Sequence, residues 1–223
     1  GVRMRVADAT RGLPPPELAS VVAGIHREPV EVSPAEAEIE RGIIELRELA
    51  RVDGWNGDGW SEGKATAARA GIEALRRAHP ERYEGPLFDA TIVLLRARHE
   101  LRMRSGIFEP VGPFEAVLEE RDGHVSTIAL TSSYDADCVV RDSQEALRLA
   151  PGSFWARYHL GIALVRAGDA PGAIRELSAL ADTNPDDALA WFALSLAQRD
   201  AGDTSAALAS ARRASSANRK REV

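Results

Sequence analysis

The residues best able to do chemistry are few and scattered. One cysteine, Cys138, stands beside Asp137, and five histidines, His26, His79, His99, His124 and His159, are spread along 223 residues. A nucleophilic thiolate needs an adjacent base or a positive helix end. Nothing in the spacing brings His124 or His159 to Cys138, which therefore reads as a buried structural residue. The histidines lack HxxxH-type ligand spacing and no CxxC is present, so no zinc site is recognisable. The loop at 53–60 is the best place for calcium, yet counted from Asp53 it puts Trp55 and Gly57 on ligand positions and Asp58 where a glycine is needed. Glycines turning the chain, with Trp55 and Trp60 anchoring it on helices, explain that loop better. There is no G-x-G-x-x-G, no phosphate loop and no G-x-S-x-G. These patterns point away from an enzyme and imply neither cofactor nor metal.

Charge narrows the partners further. Arg96, Arg98, Arg102 and Arg104 invite a nucleic-acid reading, but at about 100° per residue only Arg98 and Arg102 share a helix face. Neutralising Glu36, Glu40 and Glu45 is the expected role, and a net charge of −6 also argues against nucleic acid. No apolar run is long enough to span a membrane and no signal-peptide pattern opens the chain, so the expected compartment is the cytoplasm. A lone cysteine demands no oxidising environment. The chain opens on Gly1 with a methionine first at Met4, which reads as a cloning scar or an excised piece of something larger.

The elements that must position these residues are helices. Residues 1–32 read as an arm with little core of its own; Leu18, Val21, Val22 and Ile25 fall at helical spacing behind the extended Leu13-Pro14-Pro15-Pro16. Ser33-Pro34-Ala35-Glu36 is a capping box opening a helix whose apolar stripe is Ile39, Ile43, Leu46 and Leu49-Ala50. A second helix over 62–78 carries Ala65, Ala68, Ile72 and Leu75 on one face, closed by His79-Pro80. A third over 86–105 is apolar around its circumference, which implies burial on more than one side. Over 113–130 the helical surroundings favour helix, while Arg121-Asp122-Gly123-His124 between alternating stretches makes a short β-hairpin near 114–130 the alternative. A helix over 135–149 precedes Pro151.

From residue 154 one pattern appears twice at a period of 34 residues. Leu160-Gly161, Ala163, Ala167-Gly168-Asp169 and Ala173-Ile174 return as Leu194-Ser195, Ala197, Ala201-Gly202-Asp203 and Ala207-Leu208. A fixed period of this size marks a repeat whose unit buries its apolar face only on its neighbours. Four antiparallel helices broken near Gly168, Pro185 and Gly202 are expected over 154–218. The pattern resembles the tetratricopeptide repeat, with Leu160-Gly161, Ala173 and Pro185 in the first copy and Trp191, Leu194 and Ala207 in the second on family positions. Gln198, Ala211 and Arg219 depart from it as a solvent-facing terminal repeat does. Pro151 stands 34 residues before Pro185 and makes 135–149 the rear half of a further, degenerate repeat.

The resemblance implies an all-α fold of antiparallel helix pairs stacked as a right-handed superhelix. Three regions follow: the arm at 1–32, degenerate repeats at 33–150 and tetratricopeptide-like repeats at 151–223. It also implies a concave groove lined by Trp155, Tyr158, Ile162, Val165 and Arg166, then by Leu189, Phe192, Leu196, Arg199 and Asp200. That lining is mostly apolar, unlike the lysines and asparagines of members that clamp an acidic carboxy terminus. The implied function is a protein-interaction scaffold or adaptor receiving a helix or extended peptide, with the chain's own arm or a second copy as candidate occupants. An accessory or regulatory domain of a larger enzyme is the alternative.

Overall fold

The computed structural model describes residues 33–50, 52–53, 57–58, 60–105, 114–121, 124–131 and 134–221. Eight helices run in order among them: α1 (Pro34–Ala50), α2 (Glu62–Ala78), α3 (Glu84–Ser105), α4 (Ala136–Leu149), α5 (Phe154–Ala167), α6 (Ala170–Thr183), α7 (Ala188–Asp200) and α8 (Thr204–Arg221). Two short ladders interrupt them. β1 (Val52–Asp53) pairs antiparallel with β2 (Gly57–Asp58), and β3 (Phe114–Arg121) pairs antiparallel with β4 (His124–Thr131).

From α2 to α8 each helix packs on the next, and α3, α5 and α7 also touch in succession. Contacts with the next element and the next but one are what a stacked array of helix pairs requires. His79 near Glu38, and Arg76 against Asp89 with Arg96 near Glu62, set α1, α2 and α3 antiparallel in turn. One apolar cluster gathers Ile39, Leu46, Ile72, Leu75, Phe88 and Ile92; a second gathers Leu94, Val139, Ile162, Leu177, Leu180 and Leu194. Helix α3 supplies residues to both, which accounts for its all-round apolar sequence.

The 34-residue period is written most clearly in the helix ends. Asp135, Asp169 and Asp203 each accept a backbone N–H three residues on, from Cys138 (3.1 Å), Gly172 (2.9 Å) and Ala206 (2.9 Å). Ser153 and Asp187, also 34 apart, cap α5 and α7 in the same way. Each cap satisfies an amide that the first helical turn leaves without a partner, worth about 1 kcal/mol.

At the opposite ends Gly168 and Gly202 both adopt φ of 82°. Asp169 N–H then reaches Leu164 O and Asp203 N–H reaches Gln198 O, both at 2.9 Å, closing each helix with the same six-to-one bond. The breaks expected near Gly168, Pro185 and Gly202 are therefore present. Gly168→Val, forced into a left-handed conformation, should cost about 1–2 kcal/mol by denaturant titration; a null result would show that the turn relaxes.

Gly161 serves a different purpose. A Cβ there would lie 2.4 Å from Leu177 Cγ, so only glycine lets α5 and α6 approach this closely. Leu177 is fully buried and has no room to yield. Gly161→Ala should cost about 1–3 kcal/mol, and combination with Leu177→Ala should be less than additive in a thermodynamic cycle.

Two expectations need correction. Residues 114–131 are a hairpin rather than helix. Arg121 pairs with His124, so the link between the strands is Asp122-Gly123, a dipeptide suited to two-residue turns, and this local signal outweighs the helical surroundings. In α1 the buried stripe is Ile39, Gly42, Leu46 and Leu49, and Ile43 is exposed. The ring of Phe88 fills the space a side chain on Gly42 would take, which rotates the contact face away from Ile43.

Candidate functional site

Helices α5 and α7 carry the ten residues expected to line the groove. Ser153 and Asp187 fix where the two helices start, and the close α5–α6 approach at Gly161 sets how α5 sits in the stack. The structure sorts the ten into two groups. Tyr158, Ile162 and Leu196 are buried, with Ile162 at 0% exposure. Tyr158 and Ile162 belong to the second apolar cluster, and Val165, Leu189 and Phe192 pack against it while partly open. Arg166 and Asp200 are exposed, and Arg199 donates to Asp200 Oδ1 at 2.9 Å. Trp155 alone among the large apolar residues of the set is exposed, at 52%.

The exposed apolar face is accordingly narrower than the expected lining, because Tyr158, Ile162 and Leu196 are buried. Trp155 stands on a base of rings: it meets Phe154 edge-on at 5.3 Å and Tyr158 edge-on at 5.9 Å, while Phe154 stacks with Tyr158 at 6.3 Å. His159 lies 6.2 Å from Trp155 and 6.1 Å from Tyr158. Burial lowers the His159 pKa to about 4, so at neutral pH the imidazole is uncharged, and its Nδ1 has no hydrogen-bond partner. Burial pushes the Tyr158 hydroxyl up. This constellation can present one large, rigid aromatic to a partner; it offers no activated nucleophile or base.

Trp191 and Arg157 occupy the same place in the repeat. Trp191 Nε1 donates to Pro185 O at 2.9 Å, and Arg157 Nη2 donates to Pro151 O at 2.9 Å. Two different side chains thus make one bond, each tying its helix to the turn before it. Arg157 also pairs with Glu176 on α6 at 3.2 Å, and the Arg213 guanidinium lies 4.5 Å over the Trp191 ring.

An ionic hub that spacing did not reveal joins α2, α3 and α4. Arg76 pairs with Asp89 (2.5 Å), Glu145 (2.8 Å) and Asp142 (3.5 Å), and its stem lies where Gly85 has no side chain. Asp142 is 1% exposed and is also held by Arg141 at 3.1 Å. Its Oδ2 accepts from the Cys138 thiol at 3.4 Å. Desolvation first, and then the Asp142 carboxylate, raise the Cys138 pKa, which keeps it a thiol. Cys138 is half-buried rather than buried.

Elsewhere one expected pairing, that of Arg96, differs. Arg96 bonds Glu100 on its own helix at 3.0 Å and nears Glu62 at 3.8 Å, in place of the acidic residues of α1. Trp60 is buried and stacks on His99 at 5.7 Å, as an anchor of its loop should; Trp55 and the side chains of Arg102 and Arg104 lie outside the described residues. Among the described residues no three His, Cys, Asp or Glu side chains are placed to hold a metal ion. None of the helices described is long and apolar enough to cross a membrane.

Cap periodicity, the Gly161–Leu177 contact and the stacked pairs define a helical-repeat scaffold of tetratricopeptide type. Residues 141–198 match the family model described as tetratricopeptide repeat, so the resemblance seen in the sequence holds. Repeats of this kind make the chain a protein-interaction scaffold in the general sense. Among solved structures it is similar to "MamA MSR-1 C2" at 12% identity, covering 92% of this chain and 87% of that one, with a TM-score of 0.52. It is also similar to "MamA 41-end from Desulfovibrio magneticus RS-1" at 16% identity, covering 82% and 75%, with a TM-score of 0.49. The first of these likenesses is one of fold. No curated protein matches the sequence.

Proposed function

We propose that this chain is a non-enzymatic adaptor that receives a helix or extended peptide along the α5–α7 face. Trp155 is the anchor, flanked by Val165, Arg166, Leu189, Phe192, Arg199 and Asp200, while Tyr158, Ile162 and Leu196 support them from beneath. The observation that carries this reading is Trp155 itself. A tryptophan 52% exposed yet braced edge-on by two rings has little freedom left to lose on binding, and such aromatics dominate interface energetics.

Sequence offers a first occupant in residues 1–32, whose Leu18, Val21, Val22 and Ile25 fall at helical spacing; a foreign helix of similar pattern is the other. Trp155→Ala should weaken capture of the bound partner by about 2 kcal/mol, roughly 30-fold, more than any loss of fold stability measured by denaturant titration of the same variant. Deleting residues 1–32 should lower stability or strengthen partner capture. If neither change alters capture or stability, the reading fails.

A further inference from the structure

The two repeats differ in charge at one shared place, beside the turn that precedes each helix pair. On α6 the positions Glu176, Ser178, Ala179 and Asp182 carry two acids and no base. One period of 34 residues later α8 has Ser210, Arg212, Arg213 and Ser216, two bases and no acid. In the first unit the cation is satisfied within the chain, because Arg157 pairs with Glu176 at 3.2 Å. In the second unit Trp191 stands in the place of Arg157 and the cations are on α8 instead. Neither Arg212 nor Arg213 has a carboxylate partner among the described residues.

These two arginines open onto a cavity of about 390 Å³ between the α6–α7 turn and α8, lined also by Pro185, Asp186, Trp191 and Ser216. Trp191 is buried, and the bond from its Nε1 to Pro185 O fixes the ring. The Arg213 guanidinium rests 4.5 Å over that ring, which holds the cation in place while leaving its N–H fork without an anion. Asp186, the acid in the lining, has an interaction of its own and pairs with neither arginine. The backbone amides at the start of α7 are also spoken for, since Asp187 Oδ1 accepts from Leu189 N and Ala190 N at 2.9 and 3.1 Å. A phosphate therefore finds no amide cradle here, and its roughly two charges would lie beside Asp186. A single carboxylate is the better match, as it is for Arg157 in the preceding unit.

We propose that this cavity is a second contact site of the chain, in which Arg213 and Arg212 bind the carboxylate side chain of an acidic peptide segment on a partner protein. Arg213 supplies the preorganised fork and Arg212 adds a second cation beside it. Trp191 and Pro185 offer apolar surface to a residue next to the acid. The incoming carboxylate does for α8 what Glu176 does for Arg157 within the chain. The site uses neither Trp155 nor the α5–α7 face.

Titration of the full chain with an acetylated, amidated Glu-Glu-Leu-Glu peptide, followed by the NMR signals of arginine Nε–H and tryptophan Nε1–H at constant ionic strength, tests this. The Arg213 and Trp191 signals should shift and saturate, and the affinity should fall as salt is raised. A Gln-Gln-Leu-Gln peptide should leave them in place, and inorganic phosphate should bind more weakly than the glutamate peptide. Arg213→Gln should weaken the peptide about tenfold or more, the loss expected when a charged hydrogen-bond donor is removed. Ser216→Glu should do the same at an exposed position, because it sets a carboxylate one helical turn from both arginines and fills the site from within. Trp155→Ala should leave the peptide affinity unchanged, which separates this site from the α5–α7 face. No saturable shift, equal shifts from the glutamine peptide, unchanged affinity in both Arg213→Gln and Ser216→Glu, or phosphate binding as tightly as the peptide overturns the proposal.

Discussion

Lowering the pH from 6.5 to about 4 should cost the fold on the order of 3 kcal/mol through His159 alone. The imidazole is buried among Trp155 and Tyr158, and desolvation holds its folded pKa near 4 against an ordinary value of 6.5. Between those two values the unfolded chain binds a proton that the folded chain refuses. Stability contributed by the neutral imidazole is therefore complete above pH 6.5, falls as pH drops through that window, and levels off below about 4. Urea titrations of the wild type and of His159→Leu at steps across the window measure the difference directly. The leucine variant should lose this slope and keep only the acid sensitivity of the carboxylates. Parallel curves for the two proteins would mean that water or a partner reaches the ring.

Arg76→Met should destabilise the chain by about 3 kcal/mol. The substitution preserves the apolar stem against Gly85 but leaves Asp89 and Glu145 without the cation they share, and leaves nearly inaccessible Asp142 dependent on Arg141, which is largely exposed. Arg76→Lys should recover only part, because an ammonium cannot spread over three carboxylates on two helices as a planar guanidinium does. Pairing Arg76→Met with Asp142→Asn should cost less than the sum of the two, since removing the buried charge removes most of the penalty. Full additivity in chemical denaturation would show that the hub is surface decoration.

What could be read from the sequence was whatever is local or periodic. Gly168, Gly202 and the aspartates after them lie in a copied pattern, and the 34-residue repeat carries over into capping bonds of equal length. The stripe Ala65, Ala68, Ile72, Leu75 was legible because a helix with one buried face shows its period directly. The pairing of α3 with α4 was hidden by residues 114–131, whose hairpin stands between the two halves of one helix pair. The Arg76 hub joins residues 66 and 69 positions apart, Asp142 and Glu145, and no spacing rule reaches that far. Nor does residue type separate core from groove: Ile162, Leu196 and Tyr158 look as suited to a ligand as Trp155, and only packing shows that three are buried and one stands out. Arg157 hid for the opposite reason, since an arginine in the family's tryptophan position makes the bond that Trp191 makes 34 residues on.

Site-specific photo-crosslinking tests the interaction surface most directly. A benzophenone amino acid replaces Trp155 in one protein and Arg175, on the exposed side of α6, in another. If the α5–α7 face receives a segment, irradiation of the first protein should yield crosslinked peptides from residues 1–32 or from one defined partner, and the second should yield none of them. Equal crosslinking from both positions, or none from position 155 with partner present, would contradict the account.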